Sequence, residues 1–282
     1  MIRPQWTPKT FGFGMGLELI IHYCGDSRED RRAEYDYCVL QNLAHPFVDR
    51  IHNLGLREVP VAAAIRENPK WHDSFLDHRM TFQDAFGYAS WHLAGRMVGI
   101  CNLDIFLDHE SDWAAAEALL RQAKVVLCQS RVEFTPPATT HLDPAFARVA
   151  HANAQDAWFF VSPVDPPAIE FEIGTLGCDN ALAERIRRIG YVPVNLGSRF
   201  RVMHYDVCRG KQGGNTNVVH KAESERRGTV YSGFPEREGC YLVPDFDVAT
   251  SLDELVANLG LSPLQKYQLI CDTMSRFIKI IN

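Results

Sequence analysis

Leu17-Glu-Leu-Ile-Ile-His-Tyr-Cys24, closed by Gly25-Asp26-Ser27, is a short and nearly unbroken apolar run with a turn signal at its end. Such a run reads as a strand buried on both faces, the kind found inside parallel sheets. The next residues, Arg28 to Arg32, are all charged, and beyond them Tyr35, Cys38, Val39 and Leu43 recur at helical spacing. This is an amphipathic helix with charge in its first turns, and His45-Pro46 ends it because the residue before proline is pushed out of the helical region. Phe47 to Leu54 follows as a second strand. Strand, helix, strand within so short a span is the βαβ unit of an α/β fold.

The alternation continues outward. After a stretch holding Pro60 and Pro69, Thr81 to Leu93 is expected to be helical, and Met97 to Asp104 is expected to be a strand carrying Asn102 and Asp104 at its carboxyl end. Ligands of open α/β sheets bind at that end of the strands. A helix over about Asp112 to Ala123, a strand at Lys124 to Cys128, a strand at Asp156 to Val161, a helix at Asp179 to Ile189 and a short strand at Phe200 to His204 complete the core. The proline-rich segment around Thr135 to Asp143 reads as a surface loop. Residues 207–250, polar and glycine-rich at first, read as a mobile loop or linker. At the C-terminus, Ser251-Leu-Asp-Glu254 and Ser262-Pro-Leu-Gln265 both fit capping boxes, so residues 251–282 form a helical appendage. Its last helix carries an apolar stripe, Tyr267, Ile270, Cys271, Met274, Phe277, Ile278 and Ile281, which serves core packing or else a homodimer contact.

Composition bounds the function. The 282 residues are 46% hydrophobic, ample for a core, and 29 basic against 35 acidic residues leave a formal charge of −6. A broad basic field for nucleic acid or an anionic membrane is excluded. No stretch approaches the roughly 20 apolar residues of a membrane helix, and the N-terminus lacks the apolar centre of a secretory signal, so a cytoplasmic protein is expected. The eight cysteines are dispersed without a CxxC pair, which argues against a zinc ribbon and a dense disulfide framework.

Four features stand in a suggestive order: Asn102-x-Asp104 after a strand, Asp156-Ala-Trp158, Gly177-Cys-Asp-Asn180 opening a helix, and His204 ending a strand. Each has a bland reading as well. Asp179 fits a helix N-cap, His204 a core histidine, and Trp158 a core aromatic. Taken together, Asn102-Leu-Asp-Ile-Phe106, Gln155-Asp-Ala-Trp-Phe159, Gly177-Cys-Asp-Asn180 and Gly190-Tyr191 resemble the motifs of GT-A glycosyltransferases. More narrowly they are similar to a group of bacterial, plant and viral glycosyltransferase-like proteins with N-x-D-I and G-C-D-N motifs. The resemblance spans roughly residues 17 to 206 and departs from the superfamily pattern at Asn102, where an acid is usual, and at Cys178, where a glutamate is.

The resemblance implies a GT-A type, Rossmann-like three-layer α/β/α sandwich over residues 1–206. It implies transfer of a sugar from a nucleotide-diphosphate sugar to a hydroxyl acceptor such as a glycan, with Mn²⁺ or Mg²⁺ as cofactor. Asp104 and His204 would hold the metal with Asn102 assisting, and Asp179 would be the base, with Asp156 next in line. A helix N-terminus is expected to lower the Asp179 pKa and keep it ionised. Gly25 and Asp26 end the first strand where a ribose or base would lie, and Arg79 would meet the diphosphate or base; a plain turn and a surface arginine are the structural readings. Arg199, Arg201, Arg209 and Lys211 flank His204 and would clamp phosphates. An inverting course is preferred, since direct displacement needs a placed base. A nucleotidyltransferase and a catalytically silent nucleotide-sugar or glycan-binding module remain open alternatives at this point.

Overall fold

Strand β1 is Leu17–Ile21, and all five of its residues are buried, as the apolar run demands. The computed structural model describes residues 16–134, 155–175, 177–208, 240, 241 and 243. In chain order the other elements are α1 (Glu29–Ala44), β2 (Val48–Asn53), α2 (Ala63–Arg66), β3 (Trp71–Asp73), α3 (Phe82–His92), β4 (Met97–Cys101) and β5 (Ile105–Leu107). They continue as α4 (Trp113–Gln122), β6 (Val125–Gln129), β7 (Arg131–Phe134), β8 (Ala157–Val161), α5 (Cys178–Arg188), β9 (Val192–Val194) and β10 (Val202–Tyr205). Helix α3 starts at a full capping box, Thr81 with Asp84, and α4 at the Asp112 side chain, which accepts from the Ala115 N–H at 3.0 Å.

Seven strands form one sheet in the order β3-β2-β1-β4-β8-β6-β9. Within it β8 runs antiparallel to both neighbours, while the β1–β2, β2–β3, β1–β4 and β6–β9 pairs are parallel. One apolar layer joins Leu17, Leu19 and Ile21 to α1, α2 and α4 through Val39, Leu43, Ile65, Trp113 and Leu119. The opposite layer joins Ile20, Val98, Ile100 and Trp158 to α3 and α5 through Phe82, Phe86, Leu182 and Ile186. The sheet is therefore covered on both faces, and the three-layer α/β/α sandwich expected from the sequence is present. Gly99 of β4 lies between its sheet partners Leu19 and Phe159, and a Cβ there would lie 2.7 Å from Phe159 and 2.8 Å from Leu19.

A second sheet of three strands, β5-β10-β7, has β10 antiparallel to β5 and parallel to β7. It corrects the expected strand from Met97 to Asp104. The chain leaves the large sheet at Cys101, turns through a hydrogen bond from the Ile105 N–H to the Asn102 carbonyl (3.2 Å), and enters the small sheet. Asn102 and Asp104 thus lie in a turn between two sheets. The faces of the small sheet differ. Phe106, Val132, Phe134, Met203 and Tyr205 pack on Tyr37 and Cys38 of α1, and Tyr37 stacks on Phe134 at 5.8 Å. Arg131, Glu133 and His204 alternate onto the other face.

The expected loop at Thr135 to Asp143 and the whole of residues 251–282, with both capping boxes and the apolar stripe, lie outside the described residues. So does most of the 207–250 segment; of its later part, Tyr241 donates its N–H to the Asn180 carbonyl (3.0 Å) and Val243 is buried in the α3/α5 layer. No helix among the described residues is long and apolar enough to cross a membrane.

Candidate active site

Between β1 and β4 the chain's connections diverge, since β1 leads through α1 to β2 on one side while β4 lies on the other. Such a switch point leaves a crevice at the carboxyl ends of the strands. Asp104, just past β4, and Arg31, on α1 just past β1, meet there. The third arrival is β10, whose register places His204 opposite Ile105 and Glu133. His204 Nε2 then lies 3.3 Å from Asp104 Oδ2 and 3.8 Å from Asp206 Oδ2.

Asp104, His204 and Asp206 each offer one ligand atom, and these atoms lie within 4.8 Å of one another. Two carboxylates and one imidazole, mostly buried, fit a divalent cation that prefers oxygen, and the nitrogen favours Mn²⁺ over Mg²⁺. Burial works against a charged His204, but the carboxylates of Asp104 and Glu133 hold its pKa up at about 9. Arg31, 2% exposed, donates to Asp104 Oδ2, to Glu34 Oε2 at 2.8 Å and to the Tyr205 carbonyl at 3.2 Å, and pairs with Asp206 Oδ1 at 3.1 Å.

From His204 a chain of charged contacts runs to the second half of the site. His204 Nδ1 lies 2.8 Å from Glu133 Oε2, Arg131 Nε donates to Glu133 Oε1 at 2.7 Å, and Arg131 also donates to Asp156 Oδ1 at 3.2 Å. Burial alone would raise the Glu133 carboxyl, yet His204 and Arg131 draw it down to about 2. Asp156 sits at the start of β8 and also accepts from the Asn102 amide at 2.9 Å. Because β8 is reversed, its first residue rather than its last reaches the carboxyl edge of its neighbours.

Asp179 completes this half. Its carboxylate accepts from the Gln155 N–H at 3.4 Å and from the Cys178 thiol at 3.1 Å. The bland reading of Asp179 as an N-cap is not met: the cap of α5 is Gly177, in the left-handed region at φ 80°, and no side chain caps the helix. The expected lowering of its pKa is corrected as well. Burial first, and the neighbouring Asp156 charge second, raise the Asp179 carboxyl to about 7, overriding the helix N-terminus.

The remaining expectations fall out differently. Asn102 is joined to Asp156, while Asp206, not singled out in the sequence, stands beside Asp104 and His204. Asp26 is held by Arg28, whose backbone N–H and guanidinium both donate to it, as in a plain turn. Gly25 is exposed, and a Cβ there would meet only Val59 at 3.5 Å. Arg79 donates to the Ile173 carbonyl at 3.1 Å and pairs with Glu172 at 3.6 Å. Trp158 is wholly buried against Phe82, a core aromatic with no surface for a sugar. Arg201 pairs with Asp108 at 2.6 Å, and Arg209 and Lys211 lie outside the described residues. Two signals were available for the residues missed: His204-x-Asp206 has strand spacing that shares a face, and Arg31-x-x-Glu34 has helix spacing that does so.

No protein-family model matches the chain, and no curated protein matches it. Among solved structures, it is similar to 4-diphosphocytidyl-2C-methyl-D-erythritol synthase at 10% identity and a TM-score of 0.36, over 73% of this chain and 97% of that one. A protein from Bacillus anthracis assigned as a glucose-1-phosphate thymidylyltransferase, in complex with sucrose, is 11% identical at a TM-score of 0.42, over 79% and 99% of the two chains. Residues 1–349 of TarS from S. aureus are 11% identical at 0.37, over 69% of this chain and 58% of that one. Likeness at this level says nothing of substrate or reaction.

Proposed function

We propose that the chain is a nucleotide-sugar-using transferase, and specifically a glycosyltransferase that moves a sugar from a nucleotide-diphosphate donor to a hydroxyl acceptor. The observation that carries this reading is the pairing, at one sheet edge, of a cluster able to hold a cation with a carboxyl raised towards neutrality. Asp104, His204 and Asp206 would hold Mn²⁺ or Mg²⁺. When bound, such an ion supplies Lewis-acid neutralisation of the diphosphate leaving group. Asp179 accepts the acceptor hydroxyl's proton as that oxygen attacks the sugar; a base whose pKa lies near 7 combines availability with driving force at neutral pH. Asp156 keeps Asp179 from becoming a weak base, because its charge and the buried setting oppose ionisation. Arg131, Glu133 and Asn102 orient the two halves through the contacts already described. A base in this position favours direct displacement and an inverting course.

The test is incubation with a panel of nucleotide-diphosphate sugars, with and without Mn²⁺, followed by nucleotide analysis. Metal-dependent release of nucleoside diphosphate is the expected result. Release of pyrophosphate from a nucleoside triphosphate and a sugar phosphate would make it a nucleotidyltransferase instead, and binding without turnover a silent module.

A further inference from the structure

Cation site and arginine compete for one oxygen. Asp104 Oδ2 faces His204 Nε2 at 3.3 Å, so it is the atom that a cation seated between these two side chains would use. The same Oδ2 accepts from Arg31, and Arg31 also pairs with Oδ1 of Asp206, the third member of the cluster. A buried guanidinium with its fork spread over both carboxylates does electrostatically what a divalent ion would do there. Its stem is fixed by the α1 backbone, and its head lies 4.4 Å from the Tyr35 ring centroid. Glu34 Oε2 offers the head a further anchor at 2.8 Å on the side of α1.

We propose that Arg31 is a tethered resident cation of this site: it holds Asp104 and Asp206 together when no metal is bound, and an incoming divalent ion displaces it from Asp104. The proposal rests on the assignment of Asp104, His204 and Asp206 as a metal site. Displaced from Asp104, the guanidinium keeps its partner Glu34 and stays beside the metal, where its charge can meet an oxygen of a phosphate-bearing ligand. Such an exchange makes metal affinity lower than the ligand set alone would provide, because each binding event must break an existing charge-assisted contact. It also lets the empty site fold without burying uncompensated carboxylates.

The experiment is calorimetric titration of the whole chain with Mn²⁺, for the wild type, Arg31→Gln, Arg31→Lys and Asp104→Asn. With the competing cation gone, Arg31→Gln should bind Mn²⁺ about tenfold or more tightly, given the Coulomb energy of a buried pair. Arg31→Lys, charged but unable to fork, should fall between. Glu34 also accepts the Val207 and Cys208 N–H groups at 2.9 Å each, which keeps that carboxylate satisfied in the variants. Equal or weaker binding by Arg31→Gln would overturn the exchange while leaving the metal site standing. Absence of Mn²⁺ binding by the wild type, or binding unaffected by Asp104→Asn, would remove the metal site and this proposal with it. If Arg31→Gln does not fold, a crystal structure of the Mn²⁺-bound wild type decides: Arg31 off Asp104 supports exchange, and Arg31 still on it refutes exchange.

Discussion

Asp179→Asn separates chemistry from architecture because it removes a charge and almost no volume. The residue is not a helix cap, since Gly177 occupies that place and no side chain caps α5. The loss of a carboxylate therefore costs no capping energy. Its pKa of about 7 against an ordinary 3.8 means the folded state resists ionising it. For such a raised group, stability is greatest below about pH 4 and declines as the pH rises towards 7, beyond which the loss is complete. Three units at roughly 1.4 kcal/mol each set an upper bound of about 4 kcal/mol on that loss. Asp179→Asn, neutral at every pH, should accordingly melt higher than wild type at pH 8 and much as wild type does at pH 4. Activity should move the other way, falling by about 10² or more if the carboxylate takes the acceptor's proton. The assays are denaturant melts at the two pH values and release of nucleoside diphosphate with a competent acceptor, together with calorimetry showing unchanged donor binding. The wild-type rate should also rise with pH through about 7, and the variant should lose that limb. Transfer within a few-fold of wild type, with the pH limb intact, would refute Asp179 as base and direct attention to Asp156.

Asp104→Asn, Asp206→Asn and His204→Ala should each weaken Mn²⁺-dependent nucleotide binding, by about tenfold or more for a lost ligand, with little change in far-ultraviolet circular dichroism; unchanged affinity in all three would sink the metal assignment. His22 and His45, whose pKa values burial lowers to about 4, should stay neutral in the folded protein well below pH 6.5. Unfolded chains take up those protons first, so in the Asp179→Asn background, free of the opposing carboxyl, stability should drop by roughly 2 kcal/mol per histidine between pH 6.5 and 5; histidine NMR titration checks the pKa values directly. Gly99→Ala should destabilise by roughly 1–3 kcal/mol through overpacking against Phe159 and Leu19, measured by urea unfolding.

What could be read in the sequence follows from the length of each signal. Strand β1, the α1 helix with Cys38, Val39 and Leu43 inward, β2, α3, α4, β6, β8 and α5 all repeat their period often enough to be visible. Strands β3, β5 and β9 have three residues each, too few for a period, and β5 begins only after Asp104, where the expected strand ends. The reversal of β8 is invisible locally, because burial patterning is the same whichever way a strand runs. At the site, Asp104, Asp156, Asp179 and His204 stand at element ends and could be singled out there. Arg31 has only its i,i+3 spacing to Glu34 as a signal, and a buried arginine among Arg28, Glu29, Asp30 and Arg32 otherwise looks like any solvated first turn. The raised pKa of Asp179 is illegible for a related reason: the helix N-terminus is local, whereas its burial and then the Asp156 charge come from distant parts of the chain.

The small sheet explains why such a site can be exact despite short strands. Residues of β10 alternate, so Met203 and Tyr205 go to the aromatic face while Val202 and His204 go to the other. Phe106, Phe134, Tyr37 and Tyr205 form a cluster with ring centroids 5.2–5.8 Å apart, and this cluster locks the sheet onto α1. A slip of one residue would turn His204 into that aromatic cluster and bring Met203 to face Asp104 and Glu133. Such a slip would bury a charged imidazole against rings, where nothing pairs with it, and would leave Glu133 only its contact with Arg131. The aromatic face therefore fixes the register, and the register delivers His204 between Asp104 and Glu133. Because α1 carries both Tyr37, which holds the aromatic face, and Arg31, which holds Asp104 and Asp206, one helix anchors both sides of the site.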